Sequence, residues 1–372
     1  MNNQEIASIE LQSLKVISAL GRGAKGVVFL VQTEDGELLA LKAISKASIE
    51  KSKDSEYRRI CLERDVLSSF QHPLLPQLNG VVSTDKIVGY VIDYCPGGDL
   101  NTLRKTQTEK TFSHDTIRFY AAELVLALEY LHGSGIVYRD LKPENVMIQE
   151  NGHIMLIDFD LSTKLSPTKT PEARQIKAAN PPKQSALKSK KKKSFSRLIK
   201  CCNSLGDDSI HSARLIPYFD PIEKSNSFVG TEEYLAPEII LGNGHDFSLD
   251  WWCLGVVLYE MLYGTTPFRG SNRKETYYRI LSKAPDLVGE ATPLRDLIRK
   301  LLEKDPKQRI SLDEIKGHDF FKSLDWDFVV HLPRPPVIPV LPSDQEGNKE
   351  MDVELFVHHV FKVEEEEHEH QS

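Results

Sequence analysis

The sequence has few cysteines and no long hydrophobic run. Its 372 residues include five cysteines, an odd number without the paired spacing of a zinc site, which argues against a disulfide framework or a metal ribbon. No stretch approaches the roughly 18 apolar residues of a membrane-spanning helix, and the first residues lack the pattern of a secretion signal. We expect a cytoplasmic protein, with nuclear or peripheral plasma-membrane association as the alternatives.

The sequence also has little net charge, but its charges are unevenly placed. The formal charge is -7, while residues 188–200 are strongly basic and residues 364–369 are mostly acidic. Such runs are commonly solvated segments, so the average charge identifies no partner. We expect no nucleic-acid partner.

The apolar pattern changes along the chain from β-rich to helical. Short β-rich runs predict strands of an antiparallel sheet at 14–17, 26–31, 38–44 and 87–92. Apolar residues at helical spacing predict one helix among them, at 56–70. Later in the chain, longer patterns predict helices at 113–131, 249–262 and 294–302.

Two segments interrupt this pattern. Residues 165–225 are rich in Lys, Ser and Pro without periodicity, which predicts a disordered insertion. Residues 322–372 contain prolines at 333, 335, 336 and 339, which favour an extended tail over the domain surface. The predicted organisation is an N-terminal extension at 1–14, a folded domain at 15–321 and this tail.

A glycine-rich segment lies between the first two predicted strands. Residues 21–28 fit G-x-G-x-x-G-x-V, in which glycines let backbone N–H groups approach phosphate oxygens. A β-run follows the glycines instead of a helix, which favours a phosphate-binding hairpin over a dinucleotide-binding turn. By itself the segment is equally consistent with a plain glycine-rich hairpin.

Further motifs follow in order. Lys42 lies within an otherwise apolar strand, where a buried ammonium needs a counter-charge; a solvated lysine on an edge strand is the alternative. Residues 137–145 match H-R-D-L-x-x-x-N except at Tyr138, residues 157–160 read Ile-Asp-Phe-Asp, and residues 236–238 read Ala-Pro-Glu. An accidental match to all of these motifs in this order is negligible.

These motifs resemble the eukaryotic protein kinase family across roughly residues 15–321. The resemblance implies an α+β, bilobal fold, with a small antiparallel β-sheet N-lobe carrying one main helix at 15–94 and a larger, mainly helical C-lobe at 95–321. The D-F-D motif, the basic insertion and the run Arg-Pro-Pro-Val-Ile-Pro at 334–339 are similar to the plant AGC group. Segments 225–231 and 270–276 are similar to its oxidative-signal-inducible subfamily, which implies stress or growth signalling.

The resemblance assigns catalytic roles. Asp140 accepts the proton of the substrate hydroxyl, and Lys142 neutralises charge on the transferring phosphoryl group. Lys42 contacts the ATP phosphates and pairs with Glu63, with Glu56 as the alternative partner. The lysine that follows Asp140-Leu141 in this loop is typical of serine/threonine kinases.

The implied cofactors are ATP and Mg²⁺, and the implied metal ligands are Asn145 and Asp158. The backbone of residues 93–95 faces adenine, and Asp99 fits the ribose position. The predicted cofactor-binding residues are Leu20, Gly21, Arg22, Gly23, Ala24, Gly26, Val28, Ala40, Lys42, Asp93, Cys95, Asp99, Glu144, Asn145 and Asp158.

Two positions depart from the kinase pattern. Tyr138 replaces a histidine and can still donate a hydrogen bond. Asp160 replaces the glycine of D-F-G. Because aspartate adopts left-handed backbone less freely than glycine, we expect the flipped, inactive arrangement of this segment to be less accessible.

The resemblance also implies regulation. Ser227 is the activating phosphosite, with its phosphate pairing with Arg139, and Thr231 belongs to the substrate segment. The upstream kinase in the family is the phosphoinositide-dependent kinase, which docks on an F-x-x-F motif. Here Phe356 and Phe361 have a different spacing, so the sequence departs from that route.

Substrates and other partners follow from charge. Asp99, Glu144 and Glu260 occupy positions where basic-directed relatives hold carboxylates, which predicts protein substrates with Arg or Lys near the phosphosite. Residues 188–200 mix cations with apolar residues, which predicts contact with anionic lipid or an importin, with a flexible spacer as the alternative.

Two functions compete with an enzyme. A pseudokinase that only binds partners predicts loss of at least one catalytic residue, and none is lost. A lipid-binding adaptor acting through the insertion leaves the catalytic motifs unexplained.

Overall fold

The computed structural model describes residues 6–23, 26–51, 54–165, 232–332, 336–337 and 352–360, apart from the side chains of residues 51 and 54–58. Contacts divide the chain into one compact unit of residues 1–165 and 224–372 and a second at 166–223. All described residues belong to the first unit. The predicted insertion at 165–225 therefore lies outside the described residues except at its first position.

Five antiparallel strands form the N-lobe sheet, in the order β1-β2-β3-β5-β4. Four of them were predicted. The strand β4 was missed because it is short, contains Asn79 and Gly80, and so lacks an apolar run. The strands are β1 (Lys15–Arg22), β2 (Gly26–Gln32), β3 (Leu38–Ser45), β4 (Leu78–Ser83) and β5 (Ile87–Asp93).

Two helices follow β3, α1 (Lys46–Lys51) and α2 (Asp54–Leu67). The helix α2 buries Ile60, Val66 and Leu67, which recur at the helical spacing that predicted it. The Tyr90 hydroxyl of β5 donates a 2.7 Å hydrogen bond to the Ile60 carbonyl. This bond ties α2 to the sheet.

The C-lobe is mainly helical. Ser113 ends the linker before its longest helix, where its hydroxyl accepts a hydrogen bond from the Thr116 amide, a typical N-cap. The central apolar helix, predicted at 249–262, is buried nearly all round. The helices are α3 (Leu100–Thr106), α4 (His114–Gly133), α5 (Pro237–Leu241), α6 (Ser248–Tyr263), α7 (Arg273–Ser282), α8 (Pro293–Leu301) and α9 (Leu312–Lys316).

Two small antiparallel strand pairs carry the loops that hold the sequence motifs. The strand pairs are β6 with β9 and β7 with β8. The H-R-D-like loop runs from β6 into β7, and the D-F-D segment runs from β8 to β9. The four strands are β6 (Ile136–Val137), β7 (Val146–Ile148), β8 (Ile154–Leu156) and β9 (Thr163–Lys164).

The tail contains a helix that the sequence analysis did not predict, α10, at residues 353–360. Val353 and Val357 are buried against the outer face of the N-lobe sheet, and the Phe356 ring lies 5.6 Å from the Phe29 ring in an edge-to-face arrangement. The expectation of an extended tail was wrong here. Val353, Phe356, Val357 and Val360 follow helical spacing, a signal that the nearby prolines obscured.

The observed architecture confirms the predicted fold class, α+β with a small β-sheet lobe and a mostly helical lobe. None of the helices in the described part of the chain is long and apolar enough to cross a bilayer. The boundaries proposed for the extension, the domain and the tail stay predictions.

Candidate active site

Lys42 reaches from the middle of β3 into a group of carboxylates. Its Nζ lies 2.7 Å from Glu63 Oε1 on α2 and 3.2 Å from Asp158 Oδ1 in the segment after β8. Glu63 is 2% exposed, so α2 must sit against the sheet for this ion pair to form. The pair thus joins the strand, the helix and the D-F-D segment.

Asp160 adds a third carboxylate to this group. Its Oδ1 lies 3.6 Å from Lys42 Nζ, and carboxylate oxygens of Glu63, Asp158 and Asp160 all lie within 4.8 Å of one another. Burial raises the pKa of Glu63, with Lys42 opposing the rise and Asp160 adding to it. Burial lowers the pKa of Lys42, but the three carboxylates outweigh it and hold that pKa well above its usual value.

The H-R-D-like loop brings three predicted residues together. Asp140 Oδ2 lies 2.8 Å from Lys142 Nζ and accepts a 2.8 Å hydrogen bond from Asn145 Nδ2. Asn145 Nδ2 also bonds the Asp140 carbonyl, at 2.9 Å. Burial raises the pKa of Asp140, and the contact with Lys142 opposes that rise.

A buried carboxylate of α6 holds this loop. Asp250 accepts hydrogen bonds from the Tyr138 amide at 2.9 Å and the Arg139 amide at 2.8 Å, and lies 2.7 Å from His132 Nε2. Arg139 has a φ of 74° and Asp158 a φ of 61°, in the left-handed region that costs non-glycine residues energy. Surrounding contacts must hold both residues in these conformations.

Tyr138 takes a scaffolding position. The side chain is buried, and its hydroxyl donates a hydrogen bond to the Ile157 carbonyl. The tyrosine therefore donates a hydrogen bond here, as predicted for the residue that replaces histidine. The Phe159 ring lies 5.3 Å from the Tyr138 ring and 4.7 Å from the Phe70 ring, just after α2. Packing between these rings keeps Phe159 inside and directs Asp158 toward Lys42.

The glycine-rich turn between β1 and β2 is closed by a 2.9 Å hydrogen bond from the Gly23 amide to the Gly26 carbonyl. A Cβ on Gly21 would meet nothing within 4 Å, whereas one on Gly26 would lie 2.3 Å from the Ala43 carbonyl oxygen. Gly21 therefore leaves room for a ligand, and Gly26 is required for close strand packing. Ala24 lies outside the described residues.

The other ATP-binding residues predicted in the N-lobe sheet lie on its first three strands. Leu20 and Arg22 lie on β1, Val28 on β2 and the buried Ala40 on β3. The β2–β3 register places Val28 opposite Lys42.

The segment after β5 connects the two lobes. The Asp93 carboxylate accepts hydrogen bonds from the Gln77 amide at 2.9 Å and from Asn79 Nδ2 at 3.1 Å, so its side chain is engaged by the neighbouring segment. Cys95 is buried, and burial raises the pKa of its thiol to about 12. Asp99 caps α3 by accepting a 2.8 Å hydrogen bond from the Thr102 amide.

Two of the carboxylates predicted to bind basic substrates already have partners. Glu260 lies 2.8 Å from Arg104 Nη2 and accepts a hydrogen bond from the Tyr234 hydroxyl. Glu144 accepts a 2.8 Å hydrogen bond from Asn101 Nδ2. No local pattern indicated Arg104 or Asn101, because only the folded chain brings α3 beside α6 and beside the loop that carries Glu144.

The oxygen atoms here suit a magnesium ion. Asn145 uses its amide nitrogen toward Asp140, which leaves its carbonyl oxygen for a metal, and Asp158 supplies a carboxylate. Carbonyl and carboxylate oxygens are the donors that Mg²⁺ prefers, so these residues fit that ion. The predicted Ser227 and Thr231 lie outside the described residues.

Comparison with known proteins agrees with this geometry. A family profile described as a protein kinase domain matches residues 14–180 and 217–321. The serine/threonine-protein kinase OXI1 of Arabidopsis thaliana is 57% identical, covering 98% of this chain and 89% of its own. Serine/threonine-protein kinase UCN of the same plant is 42% identical, covering 90% and 85%.

A third relative is larger. Phototropin-2 of Oryza sativa subsp. japonica is 41% identical over 89% of this chain, which spans 34% of the phototropin. The predicted resemblance to plant kinases of the AGC group is thereby confirmed. The family profile, these relatives and the arrangement of Lys42, Asp140 and Asp158 establish that the chain belongs to the protein kinase family.

Proposed function

We propose that this protein kinase transfers the γ-phosphoryl group of ATP to serine and threonine hydroxyls of plant proteins. The observation that carries the proposal is the joint placement of two groups: Asp140 bonded to Lys142 and Asn145, and Lys42 bonded to Glu63 and Asp158. A family member that had lost catalysis would not need both groups intact. The complete set therefore argues against the pseudokinase alternative.

Each group has a role in phosphoryl transfer. Asp140 orients the substrate hydroxyl and accepts its proton, and Lys142 neutralises charge on the transferring group. Lys42 donates to phosphate oxygens while Glu63 holds it in place. Asn145 and Asp158 would hold magnesium, which would supply positive charge to neutralise the phosphates.

The same residues that the sequence singled out would hold the cofactors. Asn145 and Asp158 would hold Mg²⁺, and the glycine-rich turn would cover the phosphates. The backbone at 93–95 would face adenine, and Asp99 the ribose. Glu144 accepts a hydrogen bond from Asn101, which lies two residues after Asp99 in the chain.

We propose substrates with Arg or Lys near the phosphosite. Glu144 before β7 and Asp99 at the start of α3 each bond to residues of α3, and Glu260 on α6 is oriented by Arg104 of α3 and by Tyr234. An oriented carboxylate still has lone pairs for an incoming guanidinium. Thr231 is proposed to belong to the segment that contacts the substrate.

Phosphorylation of Ser227 is proposed to activate the enzyme. Burial lowers the pKa of the Arg139 guanidinium, Asp250 opposes that change, and the positive charge of Arg59 on α2 adds to it. The positive charges of Arg139 and Arg59 would attract the phosphate group on Ser227. The phosphate would thus stabilise α2 in the position that pairs Glu63 with Lys42.

Regulation and location follow from the resemblance and the charge pattern. The proposed activator is an upstream kinase such as the phosphoinositide-dependent kinase, acting in stress or growth signalling. The basic segment at 188–200 is proposed to contact anionic lipid or an importin. A fluorescent fusion whose location is unaffected by neutralising those lysines would contradict this last proposal.

The experiment incubates purified protein with labelled ATP, Mg²⁺ and a basic serine peptide. Asp140→Asn should reduce transfer by roughly 10²- to 10⁴-fold, the usual contribution of a positioned base. The control Asp115→Asn changes a 90% exposed carboxylate on α4 and should leave the rate near that of the wild type. Equal rates for wild type and Asp140→Asn would contradict the proposed chemistry.

A second arm tests activation in the same assay. Ser227→Ala should reduce transfer by about tenfold or more, because charge-assisted bonds to the phosphate are lost. Ser225→Ala in the same segment is the matched control. No transfer by wild-type protein phosphorylated at Ser227 would favour a pseudokinase.

A further inference from the structure

The Lys42 ammonium carries one positive charge, but three carboxyl groups lie near it. Glu63 and Asp158 both accept hydrogen bonds from its ammonium, at 2.7 and 3.2 Å. The third carboxylate, Asp160, lies 3.6 Å away, too far for a hydrogen bond but close enough for strong attraction. One ammonium is therefore surrounded by three carboxyl groups.

The backbone does not require glycine at the position of Asp160. Asp158 has a positive φ, whereas Asp160 does not. The aspartate is thus accommodated without left-handed strain, and its side chain, 27% exposed, turns toward Lys42 and Glu63. The replacement of glycine changes the electrostatics of the site while leaving this backbone arrangement intact.

The negative charge of Asp160 has opposite effects on a metal cation and on the phosphates of a nucleotide. A metal held by Asp158 would lie about 2 Å from its oxygen. Since the Asp158 and Asp160 oxygens are within 4.8 Å of each other, that metal would lie no more than about 7 Å from an Asp160 oxygen. A carboxylate at that distance attracts a divalent cation and repels polyphosphate.

We propose that Asp160 is a positioning residue that couples magnesium to nucleotide binding. Its carboxylate holds the Lys42 ammonium toward Glu63 and keeps the phosphate position negative until a divalent cation is present. ATP then binds tightly with magnesium and poorly without it. This inference rests on the proposed ATP- and magnesium-dependent activity.

The test measures equilibrium binding of ATP by titration calorimetry, once with saturating MgCl₂ and once with EDTA. For each protein, the ratio of the ATP affinity in MgCl₂ to the ATP affinity in EDTA measures the coupling between magnesium and ATP binding. Asp160→Asn keeps the shape and removes the charge, and Asp160→Gly restores the residue common in the family. Both should reduce the ratio by at least about tenfold, because the Coulomb attraction of Asp160 for the metal, at about 7 Å and an effective dielectric constant near 20, is lost with MgCl₂. Binding in EDTA should become tighter, because the repulsion between Asp160 and the phosphates is removed.

A matched control separates local from overall charge. Asp65→Asn removes one carboxylate from α2, where Asp65 pairs with Arg64 and is 56% exposed. It should leave the coupling within about twofold of wild type, because exposed charges are screened. In the kinase assay, Asp160→Asn should raise the Mg²⁺ concentration for half-maximal rate, whereas Asp65→Asn should leave that concentration near the wild-type value, a difference that misfolding alone would not produce.

The outcomes are distinct. An unchanged coupling in folded Asp160→Asn and Asp160→Gly proteins, or an equal drop in Asp65→Asn, overturns the role of Asp160 while wild-type binding still supports the proposed function. If the asparagine variant unfolds in a melting experiment, the glycine variant decides. Wild-type protein that binds no ATP in either buffer overturns both proposals.

Discussion

Two ion pairs, Lys42 with Glu63 in the N-lobe and Arg309 with Glu238 in the C-lobe, differ in how fully they are buried and hydrogen-bonded. Arg309 and Glu238 are 0% and 3% exposed and make two parallel contacts of 2.8 and 3.0 Å. Arg309 also donates to the Ser248 and Glu303 carbonyls, at 2.8 and 3.0 Å. Lys42, by contrast, is 22% exposed and makes one contact with each of several carboxylates.

The difference separates a structural pair from a functional one. A rigid guanidinium with four of its five N–H donors bonded has one favourable arrangement, which suits a pair that fixes α5 against the rest of the C-lobe. An ammonium shared among three carboxylates can exchange partners when a phosphate or a metal arrives. Mutations should therefore affect stability in the first region and activity in the second.

The largest expected effect is on folding. Arg309→Met leaves the Glu238 carboxylate buried without its partner and should lower the free energy of unfolding by about 3–5 kcal/mol. Urea denaturation followed by circular dichroism measures it. The double variant Arg309→Met/Glu238→Leu should recover most of the loss; a double variant as unstable as the single one would contradict this explanation.

The second effect is on catalysis. Lys42→Met should reduce phosphoryl transfer by roughly 10²- to 10³-fold, the usual loss when a charge-stabilising group is removed, while the melting temperature changes little. The exposed Lys15 of β1 provides the control Lys15→Met, for which we expect wild-type rates. A collapse of stability in Lys42→Met would remove the contrast between the two regions.

The third and smallest effect concerns a cation that lacks a carboxylate contact. Lys304 Nζ is buried without a hydrogen-bond partner among the described residues, 3.7 Å from the centre of the Phe268 ring and 4.8 Å from that of Trp252. Burial lowers its pKa to about 7, with Glu303 opposing and Arg309 reinforcing the change. The ring contacts compensate only part of the lost hydration.

This lysine gives a pH-dependent stability with a defined sign. Between pH of about 7 and its usual pKa near 10.5, the unfolded chain binds the proton and the folded chain does not, so stability rises with pH. Lys304→Met should raise the melting temperature by a few degrees at pH 6 and remove this part of the rise. Thermal melts of both proteins from pH 6 to 9 measure it, and parallel curves would contradict the assigned pKa.

Much of the fold was predictable because local patterns and global packing agree. The helix α6 was predicted at 249–262 and found at Ser248–Tyr263, since a helix buried on all sides must be apolar on all sides. The strand β4 and the helix α10 were missed. Each is short, and each owes its conformation to the surface it packs on: β4 to its neighbour β5, and α10 to the outer face of the sheet.

The candidate site shows the same division. Motif spacing identified Lys42, Asp140 and Asp158, because phosphoryl transfer needs those residue types in that order. It did not reveal that Arg104 orients Glu260, nor that Asp160 lies beside Lys42. Both contacts join residues more than 100 positions apart in the chain, beyond the reach of any local pattern.

The sequence by itself determined the family, the fold class and the chemistry, because glycine, lysine and carboxylate positions in the motifs are restricted by what binds phosphate. Only the tertiary structure decided how those charges share partners. Lys42 meets three carboxylates because β3, α2 and the D-F-D segment converge, whereas Arg309 meets one carboxylate in a closed arrangement. Electrostatic interaction depends on distance and burial, and both arise only when the chain is folded.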